Sequence, residues 1–142
     1  LAKQRPDGII EGWHGDGNFT RTALMYALWK TQGVGAHPWR ADLALGGARD
    51  MEGVVLSLTG DWNWSGVVKF DIPRHRIYFH LPLDYPRINQ FPEWFTVDPE
   101  RAYRVTIGVK DPVTIQGSEL RKGIPVQIEA GLPLVIRVSP GE

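Results

Sequence analysis

Residues 103–107 read Tyr-Arg-Val-Thr-Ile and residues 126–129 read Val-Gln-Ile-Glu, so apolar and polar side chains alternate along both stretches. Alternation with a period of two is typical of a β-strand that buries one face. More candidate strands follow with turn residues between them and no intervening helix. Together they cover 54–59, 66–72, 76–81, 95–97, 102–109, 113–115, 125–129 and 134–138. This order predicts a mainly β fold, an antiparallel β-sandwich, rather than a βαβ arrangement.

One helix is predicted ahead of the strands, over residues 19–32. Residues 23–29 are apolar without interruption, and Gly33 follows as a helix stop. A helix lying on a protein surface shows a polar face at a spacing of 3.6 residues, which this helix lacks. We therefore expect it to be buried among further helices that this chain does not supply. The chain opens on Leu1 rather than Met, which we interpret as a processed product or, in keeping with the helix, as the tail of a longer protein.

The predicted organisation divides the chain near residue 40. Residues 1–33 form a loop and a terminal helix, residues 34–50 form a connector punctuated by Gly, Pro and Trp, and residues 51–142 form the β-sandwich domain.

The composition weighs against several classes of function. Sixteen basic residues balance sixteen acidic ones, so we expect no nucleic-acid partner, because phosphate binding normally needs a basic surplus. No apolar run approaches the ~20 residues that span a bilayer, so we expect no membrane partner. The chain has no cysteine, and its four histidines are not spaced as metal ligands. We expect neither a metal nor a cofactor.

The densest polar cluster is Glu-Gly-Trp-His-Gly-Asp-Gly-Asn at residues 11–18. Its glycines let the backbone approach a ligand closely, and His14 and Asp16 can move protons. The alternative interpretation is structural. Asp16 and Asn18 would then cap the helix, and His14 would hydrogen-bond locally.

Two tryptophans, Trp62 and Trp64, lie two positions apart. In a strand they would share one face, and two exposed indole rings would form a platform for sugar rings. The alternative is that one or both rings cover the sandwich core, which is the commoner environment of tryptophan.

The stretches 13–24 and 26–33 together resemble the last inner helix of an (α/α) toroid. Residues 84–87, Asp-Tyr-Pro-Arg, and 92–97, Pro-Glu-Trp-Phe-Thr-Val, are similar to the C-terminal β-domain of bacterial carbohydrate-active enzymes. These enzymes are glycoside hydrolases and polysaccharide lyases built on six helical hairpins. The resemblance implies that the predicted helix completes such a toroid.

In enzymes of this type the loops before the inner helices line the substrate funnel. The resemblance therefore implies catalytic roles for His14 and Asp16 and substrate binding by Trp13, Asn18 and Arg21. Trp62 and Trp64 are predicted as further substrate-binding residues because of the platform described above. The implied function is the C-terminal portion of a polysaccharide-degrading enzyme in the periplasm or outside the cell. A hydrolase is favoured over a lyase, because the loop holds acids but no tyrosine. The implied partners are a polysaccharide and the rest of the same enzyme, or a companion helical chain.

Two other functions stay open. The first is a non-catalytic carbohydrate-binding sandwich, with Trp62, Trp64 and Trp94 as its platform. The second is a structural domain that braces a neighbour and binds no ligand.

Overall fold

Two antiparallel sheets share one apolar core in the computed structural model, which describes residues 3–4, 10–11, 17–78, 80 and 94–141. The chain is mainly β, and the predicted antiparallel sandwich is confirmed. The elements in chain order are β1 (Lys3–Gln4), β2 (Ile10–Glu11), α1 (Gly17–Thr31), β3 (Gly35–His37), β4 (Ala44–Arg49), β5 (Val54–Thr59), β6 (Trp64–Lys69), α2 (Arg74–Ile77), β7 (Ala102–Ile107), β8 (Val113–Gln116), α3 (Gly117–Lys122), β9 (Ile124–Ile128) and β10 (Leu134–Pro140).

The larger sheet has five strands in the order β4-β5-β10-β7-β8, and the smaller has three in the order β3-β6-β9. Strands β1 and β2 form a separate two-stranded ribbon. Within the larger sheet, β10 is central and pairs Ile136 with Leu56 on one side and with Ile107 on the other. The chain passes from one sheet to the other after β3, β5, β6, β8 and β9.

The core forms where the inner faces of the two sheets meet. Strand β9 shows the expected period of two, with Ile124, Val126 and Ile128 buried and the residues between them exposed. The side chains that are almost completely buried belong mostly to the larger sheet: Val54, Leu56, Leu58, Val105, Ile136 and Val138, joined by Val68, Val97 and Leu120. Burying apolar surface at ~25 cal/mol per Å² makes this cluster the main source of stability.

Most predicted strands are found with ends shifted by a few residues, and β5 matches its prediction at both ends. Two predictions are wrong. Residues 76–81 begin inside the helical turn α2, because Pro73 precedes it and its carbonyl accepts the N–H groups of Arg76 and Ile77 at 3.0 and 2.9 Å. Residues 95–97 join neither sheet, although Phe95 and Val97 are buried.

The predicted connector, residues 34–50, is part of the sandwich. It supplies β3 to the smaller sheet and β4 to the larger one. Strand β4 reads Ala-Leu-Gly-Gly-Ala-Arg, which lacks the usual β-branched residues. Close packing explains the second of its two glycines. A Cβ at Gly47 would lie 2.9 Å from Leu56 Cδ2 and 3.2 Å from the carbonyl oxygen of Thr31. The last turn of α1 can therefore lie close to β4.

Helix α1 runs over Gly17–Thr31, close to its predicted bounds. Within this chain its residues 23–31 are half-buried or exposed, and it contacts mainly β4. Burial among further helices therefore stays a prediction. In the described part of the chain, no helix is both long enough and apolar enough to cross a membrane.

The helix ends in a Schellman arrangement. The N–H of Gly33 donates to the carbonyl of Leu28 at 2.7 Å, and the N–H of Gln32 donates to that of Trp29 at 3.3 Å. Gln32, with φ of 53°, takes the left-handed position that glycine usually occupies, and Gly33, with φ of 69°, follows it.

Candidate functional site

Three loops meet at one end of the sandwich, which we call the crossover end: 38–43 after β3, 60–63 after β5 and 129–133 after β9. Backbone hydrogen bonds join the second loop to the third, since the N–H of Gly131 donates to the carbonyl of Gly60 at 2.8 Å. The N–H of Ala130 also donates to Asn63 Oδ1 at 2.8 Å. Three connected loops on a rigid scaffold are a typical place for a binding site.

An ion pair between Arg40 and Asp42 fixes the first two loops to each other. The guanidinium donates to the Asp42 carboxylate from Nε and from Nη2, the latter at 2.8 Å. Its nitrogens also donate to the backbone carbonyls of Trp62, at 2.8 Å, and Asn63, at 3.1 Å. In return, Asp42 Oδ2 accepts the backbone N–H of Asp61 at 3.0 Å. The turn that carries Trp62 is thus held from both of its sides.

This pair also shifts the protonation of both groups. The hydrogen bond from Arg40 lowers the pKa of the Asp42 carboxyl, and the hydrogen bond to Asp42 raises the pKa of the Arg40 guanidinium. Both groups are therefore charged across the physiological range.

The crossover end exposes two large indole rings, those of Trp39 and Trp62, which are 59% and 69% exposed. Trp39 lies between two anchored residues, since the carbonyl of Pro38 accepts Trp64 Nε1–H at 2.9 Å and Arg40 is in the ion pair. Leu132, in the third loop, is also exposed. Tryptophan is highly buried on average, so two mostly exposed indole rings on firmly held loops mark this end as a candidate binding surface.

The predicted platform of Trp62 and Trp64 does not form. Trp64 is only 6% exposed and belongs to the core, as the structural alternative stated. Residues two positions apart share a face only when both lie in the same strand. Trp64 lies in β6, whereas Trp62 lies in the turn before it. Trp94, the third ring of the binding-module hypothesis, is half-buried and donates its Nε1–H to Asp71 Oδ2 at 3.0 Å.

Trp39 is the residue that the sequence analysis missed. It lay in the predicted connector, which was given no role. The signal available was the pattern Pro-Trp-Arg-Ala-Asp at 38–42, in which a basic and an acidic residue two apart follow an aromatic residue.

A groove of about 830 Å³ starts beside the crossover end and follows β9, one of the two edge strands of the smaller sheet. Its apolar base includes Ile107 and Leu134, which pack partly against the core. The polar side chains that line it are Asn63, Ser65, Lys110, Gln127 and Glu129. Volume and lining fit an elongated polar ligand.

The predicted catalytic loop cannot be placed against this site. Trp13, His14 and Asp16 lie outside the described residues. Asn18 and Arg21 lie in the first half of α1, with their side chains outside the description. Their predicted roles therefore stay predictions.

Helix α1 also exposes large apolar side chains, on more than one of its sides. Leu24, Tyr26 and Trp29 are 58%, 52% and 49% exposed, although all three are large and apolar. The Lys30 ammonium lies 5.0 Å from the Trp29 ring centroid and 5.5 Å from that of Tyr26. Trp29 is near the Gly47–Arg49 end of β4, away from the crossover end.

In the described ranges no three His, Cys, Asp or Glu residues are grouped as metal ligands. The chain matches no protein-family model, and no curated protein or solved structure is significantly similar to it.

Proposed function

We propose that this chain binds a polysaccharide at the crossover end, with Trp39 and Trp62 as stacking residues. The observation that carries the proposal is that both rings are mostly exposed while the backbone beside them is fixed. The Arg40–Asp42 pair holds the turn at Trp62, and the Trp64 indole holds the Pro38 carbonyl before Trp39. Indole faces pack well against the apolar C–H faces of sugar rings. Because the loops are already held in place, binding would cost little ordering entropy.

Polar groups around the rings support the same ligand class. Asp61 and Asn63 are exposed next to Trp62, and Glu129 is exposed in the third loop. Carboxylate and amide oxygens accept hydrogen bonds from sugar hydroxyls. The groove beside β9 begins at Asn63 and would accommodate further sugar units of an extended chain.

The test is titration calorimetry of the protein against a panel of neutral and acidic polysaccharides, with Trp39→Ala and Trp62→Ala. We expect each variant to lower the affinity about tenfold, which corresponds to about 1.4 kcal/mol. Trp29→Ala is the matched control, because it removes an equally large exposed indole near the other end of β4. Equal loss in the control, or unchanged affinity in both test variants, would contradict the proposal.

A second candidate function is that of a C-terminal portion of a polysaccharide-degrading enzyme. The exposed apolar residues Leu24, Tyr26 and Trp29 favour it, because a helix with apolar residues on several sides is typical of one buried among other helices. On this hypothesis His14 and Asp16 are catalytic and the three exposed side chains are covered in the native enzyme.

Two measurements separate these functions. His14→Ala and Asp16→Ala in the native gene product should abolish polysaccharide cleavage but leave the binding that depends on Trp62. Acrylamide quenching should show Trp29 shielded in the native product. A native product without cleavage activity, in which Trp29 is quenched freely, would leave only the binding function.

A further inference from the structure

A second cleft, of about 440 Å³, lies near the Lys69 end of β6. Leu28, Val34, Phe70 and Ile72 contribute apolar surface to it. Five polar side chains also line it. One is the buried Asp71, and the other four give the cleft the name that we use, the basic cleft: His37, Lys69, Tyr78 and Arg121. None of these four is needed at the crossover end.

The fold brings the two cations together. The backbone N–H of Phe70 donates to the carbonyl of Leu120 at 3.1 Å, which fixes the end of β6 against α3. Lys69 directly precedes Phe70 and Arg121 directly follows Leu120, so this hydrogen bond brings their backbones close together. The stem of Lys69 passes close to Gly123, where a Cβ would lie 3.0 Å from Lys69 Cγ.

Among the described residues, neither cation of the cleft forms an ion pair. Of the described residues that line it, Asp71 is the one carboxylate, and it is buried. Its oxygens already accept the backbone N–H of Ile72 at 2.9 Å and the indole N–H of Trp94 at 3.0 Å.

Tyr78 adds a directed donor. Arg121 Nη2 donates to the Tyr78 hydroxyl oxygen at 2.9 Å, so the phenol proton is available to a different acceptor. A guanidinium, an ammonium and a phenol thus present donors around one apolar-floored cleft. The ligand that fits this set is an acceptor-only anion, and a planar carboxylate fits the guanidinium fork best.

We propose that the basic cleft binds the carboxylate of an acidic sugar, with Arg121 and Lys69 pairing to the charge and the sugar ring lying on the apolar surface. The inference rests on the proposed function. The cleft itself indicates a carboxylate, and the proposed carbohydrate binding indicates that this carboxylate belongs to a sugar. It narrows the ligand from polysaccharides in general to those that contain uronate units.

The experiment compares two ligands that differ only at the carboxyl group: an oligogalacturonate, which is charged, and the same oligomer as its methyl ester, which is neutral. We expect the acid to bind at least tenfold more tightly than the ester, and Arg121→Ala and Lys69→Ala to remove most of that preference. Arg104→Ala is the matched control, because Arg104 is an exposed arginine on β7, outside the cleft. Thermal melts identify any variant that does not fold, and Arg121→Gln then replaces Arg121→Ala.

Each outcome decides one point. Equal affinity for acid and ester, or a preference that survives both cleft variants, overturns the inference while leaving binding through Trp39 and Trp62 intact. If sodium sulfate displaces the acid at the concentration at which sodium galacturonate does, the cleft is a general anion site and the sugar assignment is wrong. If neither acid nor ester binds, and no neutral polysaccharide does, the proposed function itself fails.

Discussion

Gln32 ties the end of helix α1 to the backbone at Phe95. Its side-chain Oε1 accepts the Phe95 N–H at 3.1 Å, while its Nε2 donates to the carbonyl of Trp29 at 2.8 Å. Gln32 is buried and its φ is 53°, so it holds a backbone conformation that most residues avoid. The two side-chain bonds explain why a glutamine is found there.

Replacing Gln32 tests that explanation. Gln32→Ala leaves the Phe95 N–H buried without its partner, and we expect a loss of about 1–3 kcal/mol in the free energy of unfolding. Gln32→Gly loses the same bonds but relieves the backbone strain. Its free energy of unfolding should therefore be about 1 kcal/mol higher than that of Gln32→Ala. Urea denaturation measures both. Gln127→Ala, at an exposed position of β9, is the control, and a glycine variant no more stable than the alanine variant would contradict the role of strain.

Gly33 and Gly131 form a natural pair for a second test. Their φ angles are similar, 69° and 74°, but a Cβ at Gly33 would overlap the Trp94 indole whereas one at Gly131 meets nothing within 4 Å. Gly131→Ala should cost roughly 1–2 kcal/mol for its backbone conformation alone. Gly33→Ala should cost about 1–3 kcal/mol more because of the overlap. Equal melting temperatures for the two variants would show that Trp94 does not pack on Gly33 in solution.

Leu56 tests the core directly. It is completely buried on β5 and pairs with Ile136 across the larger sheet. Leu56→Ala should lower the free energy of unfolding by about 2–5 kcal/mol, through lost burial and the cavity left behind. Its exposed neighbour Ser57 gives the control variant Ser57→Ala, expected within about 0.5 kcal/mol of the wild type. A small effect of Leu56→Ala would mean that the two sheets are not closely packed.

The Arg40–Asp42 pair predicts a pH dependence. The pKa of Asp42 is lower in the folded chain than its unfolded value of about 3.9. Its contribution is therefore fully present above that value and is lost as the pH falls through the folded pKa. Affinity for a neutral polysaccharide should stay constant from pH 7 to about 5 and fall only in stronger acid.

Asp42→Asn provides the matched variant. It keeps the shape of the side chain but removes the charge that holds Arg40, so the turn at Trp62 should loosen and affinity should fall severalfold already at pH 7. Titration calorimetry at several pH values measures this, with Asp111→Asn, an exposed aspartate beyond β7, as control. A wild-type affinity that declines between pH 7 and pH 5 would point to a different titrating group.

Sequence patterns predicted the strands in which large apolar residues alternate with polar ones and face the core, as in β5, β7, β9 and β10. They failed for strands that form because a neighbouring strand supplies hydrogen-bond partners, not because of their own sequence pattern. Strand β4 has two central glycines and little apolar alternation, yet all six of its residues pair with β5. Phe95 and Val97 show the opposite error, because they are buried like strand residues but bond to the Gln32 side chain and to the carbonyl of Asp71.

The candidate site was predicted only in part. Composition singled out the tryptophans, and Trp62 is exposed as a stacking residue requires. The second exposed ring, Trp39, lies in the loop that follows β3. The Arg40 guanidinium joins this loop to the Trp62 carbonyl, and no local sequence pattern shows a contact between residues 22 positions apart. Tertiary contacts of this kind determine the basic cleft too, since Lys69 and Arg121 are far apart in the chain.

The last turn of α1 has a practical consequence for protein engineering. The Thr31 carbonyl and the Gln32 side chain lie against Gly47 of β4, so the helix end shields a strand of the larger sheet. A shortened polypeptide that begins after residue 33 would present that strand bare to solvent and would be expected to aggregate through it. Expression trials of the sandwich on its own should therefore keep the end of the helix attached.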